Sequence, residues 1–276
     1  ARLFQLELID HLRARLNSNH ALLRDMLEAP NRYPAYIVSS PKYPGEKSRI
    51  HGQVYDSRTF GDHLGILGLI SAFGAMPGEN KAVELISAQH GPPELLTQRL
   101  NLFLIGSEKS NPYTKQALQM LQRDRDPAWS FDPQEEFTRQ DDDWPCRLYR
   151  RSGDKRTEVL GVTREVGAPP EEIWTEDYGV VVRGPHPRYP DRLLMVVAGA
   201  HSLGTGAACL AATRSFLIRQ IRDALPEGTL QDKSATFWVL VKGVVSEADL
   251  LLDPDGVSIA EAGVYSTGAS VNPCRA

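Results

Sequence analysis

The run Arg192-Leu-Leu-Met-Val-Val-Ala-Gly-Ala-His201-Ser202-Leu-Gly204-Thr205-Gly206 constrains this chain more than any other stretch. An unbroken apolar segment from Leu193 to Ala198 predicts a strand buried on both faces. Gly199, Gly204 and Gly206 then make a tight turn displaying His201, Ser202 and Thr205. The small residues Gly206-Ala-Ala-Cys-Leu-Ala-Ala open a helix expected to end near Ala224. Strand, glycine turn and helix together form the unit from which α/β proteins build ligand sites.

Other segments repeat the alternation. Residues 3–28 space Leu3, Leu6, Ile9, Leu12, Leu16, Leu23 and Leu27 at near-helical intervals, and Pro30 ends the pattern. This amphipathic segment either docks on the core or joins an upstream domain, and a chain already helical near Ala1 is expected to be part of something longer. Ala35–Val38, Ala82–Ile86 and Leu102–Ile105 read as strands. Gly61–Met76 reads as a helix capped by Asp62, and Asn111-Pro112 opens another helix, with Asn111 at the cap and Pro112 at the first helical position. Trp129–Phe131, Cys146–Tyr149 and Glu158–Val162 look like short antiparallel strands. Tyr178–Val182, Thr236–Val241 and a closing hairpin complete the pattern.

The expected fold is therefore α/β and Rossmann-like, with a mainly parallel sheet, an inserted antiparallel β element and a leading amphipathic helix. The expected organisation is a helical segment over 1–30, a first α/β half over 31–128, a β meander over 129–170, and a second α/β half with a C-terminal hairpin over 171–276.

Composition excludes several function classes. The 276 residues carry a net charge of −4 and no long run of like charges, which argues against a nucleic-acid partner. The one basic cluster, Arg147, Arg150, Arg151, Lys155 and Arg156, reads as a solvated hairpin. No apolar run reaches the roughly 20 residues of a membrane helix, so no membrane partner is expected. Three cysteines, Cys146, Cys209 and Cys274, are widely spaced and lack any paired-ligand spacing, which points to a reducing, cytoplasmic setting without a disulfide scaffold or zinc site. Asp141-Asp142-Asp143 lacks the spacing of a calcium loop. Glu171-Glu172 reads as a solvated turn, and Trp144, Trp174 and Trp238 as packing residues. No metal or cofactor is expected.

Ala200-His201-Ser202-Leu203-Gly204 resembles the "GHSLGG" nucleophile elbow of lipases and other α/β-hydrolases. That resemblance implies Ser202 as an acyl-transfer nucleophile, with a histidine base downstream of it. The seven histidines are His11, His20, His51, His63, His90, His186 and His201, and none follows Ser202. A structural turn and a ligand turn remain as readings of the same residues. In the ligand reading, backbone N–H groups and the helix N-terminus face an anionic or polar group.

A second turn, Gly106-Ser107-Glu108-Lys109-Ser110-Asn111-Pro112-Tyr113-Thr114, follows a buried strand. Strand-Gly106-x-x-x-x-Asn111-Pro-x-Thr114, together with Ala198-Gly199-x-x-x-x-Gly204-Thr205, resembles the glycine-rich turns of Rossmann-like domains in archaeal S-layer-type proteins. Ser107 and Glu108 replace the Gly-Pro of that pattern. The resemblance implies a Rossmann-like domain with no assigned catalytic role.

Parallel sheets bind ligands beyond the carboxyl ends of their strands. Ser39, Ser40, Asp62, Ser107, Asn111, His201, Ser202 and Thr205 are the expected ligand-binding residues on that edge, with Asn111 and Asp62 also explicable as caps. The expected role is a non-catalytic ligand-sensing or protein-interaction module of a larger regulatory or assembly protein. Its partners would be a small anionic or polar ligand and, through the N-terminal helix, other protein domains. The alternative is a serine hydrolase, or a nucleotide- or sugar-cleaving enzyme, using Ser202 or His201 in the 199–206 turn.

Overall fold

The computed structural model describes residues 91–132, 146–166, 171–246 and 252–265. It also describes the shorter stretches 35–39, 47–50, 53–56, 67–69 and 83–88, and Leu22. Ser40, Asp62, most of the 61–76 segment and nearly all of the 3–28 segment lie outside the described residues.

In chain order, the first strands are β1 (Ala35–Ser39), β2 (Lys47–Ile50), β3 (Gln53–Asp56) and β4 (Val83–Ser87). A single 3-10 turn at Leu95–Thr97 leads into β5 (Asn101–Ile105), followed by helix α1 (Pro112–Leu121). Strands β6 (Ala128–Asp132), β7 (Arg147–Ser152) and β8 (Lys155–Val159) come next, then β9 (Val162–Val166), β10 (Glu171–His186) and β11 (Tyr189–Gly199). Helices α2 (Ser202–Thr213) and α3 (Ser215–Ala224) precede β12 (Thr236–Val244) and β13 (Ser258–Tyr265).

The main sheet has eight strands in the order β13-β12-β10-β11-β5-β1-β4, with β9 added to β10. Its β4, β1, β5 and β11 are mutually parallel, whereas every ladder involving β10, β12 or β13 is antiparallel. Sheets β2-β3 and β6-β7-β8 are antiparallel throughout. The protein is thus mostly β with a mixed sheet, and the expectation of a mainly parallel, Rossmann-like α/β fold is wrong.

The reason is local to residues 184–190. The three prolines of residues 184–190 suggest a loop, yet the stretch is largely strand: β10 runs to His186, β11 begins at Tyr189, and only two residues turn between them. A connection that short makes the pair antiparallel. The crossover from β11 through α2 and α3 to β12 does join two strands of the same direction. Both pair antiparallel with β10, which lies between them.

Alternation along the central strands builds a core on each side of the sheet. Phe103, Ile105, Met195, Val197, Val181, Phe237 and Val239 pack against the small residues of α2 and against Leu217, Ile218 and Ile221 of α3. Leu102, Leu104, Val180, Val182, Leu194 and Val196 face Ala117, Leu118 and Leu121 of α1, with Trp129, Phe131 and Leu148 of the small sheet beside them. Helices α1 and α2 therefore lie on opposite faces. The basic cluster of the β7–β8 hairpin is held by Arg147–Glu158 at 3.3 Å, by a two-pronged Arg150–Glu261 contact at 2.5 and 2.9 Å, and by Arg156 over the Tyr149 ring.

The β10–β11 turn buries His186. Its Nδ1 accepts the Arg188 N–H at 3.2 Å, so the neutral ring carries its proton on Nε2 and donates it to Leu96 O at 3.0 Å. Burial holds the imidazole below its usual 6.5, the Leu96 contact pulling the other way and Arg188 adding to the depression. Protonation would set a second N–H against that of Arg188. Because the unfolded chain binds the proton more readily, stability is complete above about pH 6.5 and falls as the pH drops toward the depressed value, by at most about 1.4 kcal/mol per pH unit. Melting temperatures between pH 7.5 and 5 should decline, and His186→Gln should flatten the decline. An unchanged slope in that variant would exclude His186 as its source.

Candidate site at the carboxyl ends of β5 and β11

Strands β5 and β11 run side by side, with Val197 opposite Ile105, and the Gly106 N–H donates to Val197 O at 3.0 Å. Beyond their ends the chain departs to α1 on one face and α2 on the other. Adjacent parallel strands whose helices leave on opposite faces open a crevice, the usual ligand position in open sheets. Ser107 and His201 are the residues that the two strands deliver there.

The α2 side is built on Asp177, which the sequence reading missed. Its side chain is 3% exposed, and its Oδ2 accepts the backbone N–H groups of His201 at 3.2 Å and Gly204 at 2.8 Å. The carboxylate therefore fills the position at the positive end of α2 where an external anion would bind. Its Oδ1 lies 3.4 Å from His201 Nδ1. Nδ1 is buried and makes no aligned hydrogen bond, so the contact is electrostatic; the side chain as a whole is 29% exposed.

Trp174 stacks on the same imidazole, with centroids 4.2 Å apart and planes 24° apart. Residues three apart on a regular strand point to opposite faces, yet Trp174 and Asp177 both meet His201. The ladder explains it: Trp174 pairs with Thr163 and Glu176 with Val162, so β10 advances two residues where β9 advances one. Thr175 is the extra residue, held by its Oγ1 donating to Val162 O and by its carbonyl accepting from Val245 N. This bulge reverses the alternation and re-aims Trp174. Glu176 pairs with both Val162 and Val244, and Gly179 with both Gly199 and Val241, so β9 continues β11 along the same side of β10. His201 sits where one strand stops and the other starts.

The other expected residues separate into roles. Ser202 is the first residue of α2, partly buried. Backbone strain in the left-handed region occurs, among the described non-glycine residues, at Asp124 and not at Ser202. Ser202 thus lacks the strain that exposes an elbow nucleophile. Thr205, expected among the ligand-binding residues, lies within the first turn of α2. Its hydroxyl accepts the Gly199 N–H at 3.0 Å, and His201 occupies the cap. Asn111 is fully buried and consumed by the fold: Oδ1 accepts Tyr113 N–H, and Nδ2 donates to Val38 O and Ile105 O. Ser39 ends β1 beside Ile105. The structure brings Ser107, His201 and Ser202 to one edge, while Asn111 and Thr205 serve the scaffold.

Cys146 enters from the other face, at the start of β7. Burial pushes its thiol up to about 11 against the opposing pull of the Ser107 side chain, and Asp177 raises it slightly further. At neutral pH it is a thiol, not a nucleophilic thiolate. Among the described residues no group of three or more His, Cys, Asp or Glu gathers as a metal site, and no helix is long and apolar enough to cross a membrane.

No protein-family model matches the chain, and no curated protein matches it. The crevice therefore stands on its own geometry.

Proposed function

We propose that this chain is a ligand-sensing module that takes a small molecule at the carboxyl ends of β5 and β11. The observation carrying this reading is His201, whose ring is clamped between buried Asp177 and exposed Trp174 at a switch of helix direction. A histidine fixed on two sides and partly open on the rest is prepared for recognition. The odd number and wide spacing of the cysteines favour a cytoplasmic setting for it.

The test is thermal shift with nucleosides, nucleotides and inorganic phosphate. A ligand at 100 times its Kd should stabilise the chain by about 2.7 kcal/mol, a rise of roughly 5–10 °C. His201→Ala should abolish the rise while leaving the far-UV spectrum unchanged. Absence of any His201-dependent stabilisation, with no protein partner bound, would end this reading.

A second reading has one specific observation in its favour. A carboxylate facing Nδ1 is how general-base histidines are held, with Nε2 left for the substrate. Fluorophosphonate labelling lost in Ser202→Ala would support the serine version, and no labelling would exclude it.

A further inference from the structure

We infer that the outer face of the β6–β7–β8 sheet docks a short, extended acidic segment of a partner protein. It is a second surface, unconnected with the ligand-sensing reading of the crevice.

Strand alternation divides the basic cluster of the β7–β8 hairpin into two rows. The inward row of the small sheet holds Trp129, Phe131 and Leu148, all buried. Arg150 belongs to that row: it lies over the Trp129 and Trp238 rings and forks onto Glu261. It ties the hairpin to the main sheet, and the Ser152 hydroxyl adds a hydrogen bond to Asp126 Oδ2 at 3.3 Å. The outward row on β7 is therefore Arg147, Tyr149 and Arg151, with Arg156 and Glu158 beside them on β8. A face already fastened in place leaves little ordering to oppose binding.

The register sets Arg151 directly opposite Arg156, and both are exposed. Like charges in such positions destabilise a ladder. Among the described residues, the ion pairs of β7 are Arg147–Glu158 and Arg150–Glu261, so Arg151 is left without one. A carboxylate laid between the two guanidinium groups turns their repulsion into charge-assisted contacts. There is also room for its chain. Ala128 and Ser130 of β6 pair with Arg151 and Tyr149, and their short side chains leave a shallow shelf beside the row.

Charge and stacking select a peptide over a nucleic acid. Residues 147–156 hold five cations and one acid, a charge of +4, so the remainder of a chain of net −4 carries −8. A long polyanion overrunning the face meets that negative field, whereas a short acidic segment stays inside it. Bases also need an open aromatic platform. The ring of this face, Tyr149, is covered by the Arg156 guanidinium 3.7 Å from its centroid.

Fluorescence anisotropy with the full chain tests this assignment. The probe is a labelled peptide of about ten residues alternating Glu and Ser, which as a strand places its glutamates on one side. Binding should saturate at low salt and weaken about 5-fold or more by about 0.3 M salt. Arg151→Glu and Arg156→Glu should each weaken it about 3- to 10-fold. Arg219→Glu, the same charge change at an exposed position of α3, should stay within about 2-fold of wild type. Because Arg151→Glu also relieves the cross-strand repulsion, its melting temperature should rise by about 1–3 °C while peptide binding falls. No saturation, an equal loss in Arg219→Glu, unchanged binding in both hairpin variants, or tighter binding of an oligo-dT strand than of the peptide each overturns the inference. So does binding confined to a chain with Glu135, Glu136, Asp141, Asp142 and Asp143 all neutralised, which would assign the face to the chain's own acids.

Discussion

Gly204→Ala should be among the most destabilising single substitutions in this chain, although it adds one methyl group. A Cβ at Gly204 would lie 2.2 Å from Tyr178 O, 2.6 Å from Tyr178 C and 2.7 Å from Asp177 Oδ2. Two of those atoms are backbone of the central strand β10, so no side-chain rotation relieves the contact. The head of α2 must move off the sheet instead. Gly179 and Gly199 face the same seam, where a Cβ would meet Gly204 O at 2.1 Å and Thr205 N at 2.2 Å. Lifting α2 also stretches both hydrogen bonds to Asp177 Oδ2. Overpacking alone costs about 1–3 kcal/mol, and weakening a buried charge-assisted pair adds about 1–3 more. The sum is about 2–6 kcal/mol, or a melting temperature lower by about 4–24 °C. Gly153→Ala is the control. Gly153 has φ +57° and nothing within 4 Å, so its alanine meets only the left-handed strain of about 1–2 kcal/mol. Calorimetry of the two variants separates steric contact from strain. Equal melting points would mean that the β10–α2 seam yields.

The same seam shows which parts of the fold could be read from residues. The run 192–206 is in place as β11, a glycine turn and α2, because an apolar strand and a small-residue helix are local patterns. The reason for its glycines was not local. They bring the helix against β10, a strand whose position depends on pairing with residues up to 68 positions away, such as Val180 with Leu240 or Glu176 with Val244. Alternating strands and helices therefore implied parallel neighbours where a hairpin strand intervenes. Asp177 was invisible for a related reason. An acid ahead of Tyr178–Val182 looks like a solvated strand end, and only the turn arriving from β11 gives it partners. Trp174 reads as a packing residue because nothing in Trp-Thr-Glu-Asp announces the bulge that turns it toward His201. Asn111 was readable as a cap from its Pro112 neighbour, but its two donated bonds cross between strands and leave no trace in spacing.

Those two donated bonds make Asn111 the other position of large expected effect. The side chain is fully buried, and all its polar atoms have partners: Tyr113 N–H at 3.1 Å on Oδ1, and Val38 O and Ile105 O at 3.0 Å on Nδ2. It therefore caps α1 and ties the ends of β1 and β5 together. Asn111→Ala removes the cap, worth about 0.5–2 kcal/mol, and leaves buried groups unsatisfied at about 1–3 kcal/mol each. A loss of about 3–5 kcal/mol is expected from denaturant unfolding. Asn111→Asp distinguishes the two roles. A carboxylate accepts the Tyr113 N–H as well as an amide does, so a residue that only caps would tolerate the change. Here the second oxygen would confront two carbonyl oxygens 3.0 Å away in a buried site, an unpaired charge with repulsion in place of two hydrogen bonds. Asp at this position should cost at least as much as Ala. A near-wild-type midpoint for Asn111→Asp would show that the strand ends are held by something other than this amide.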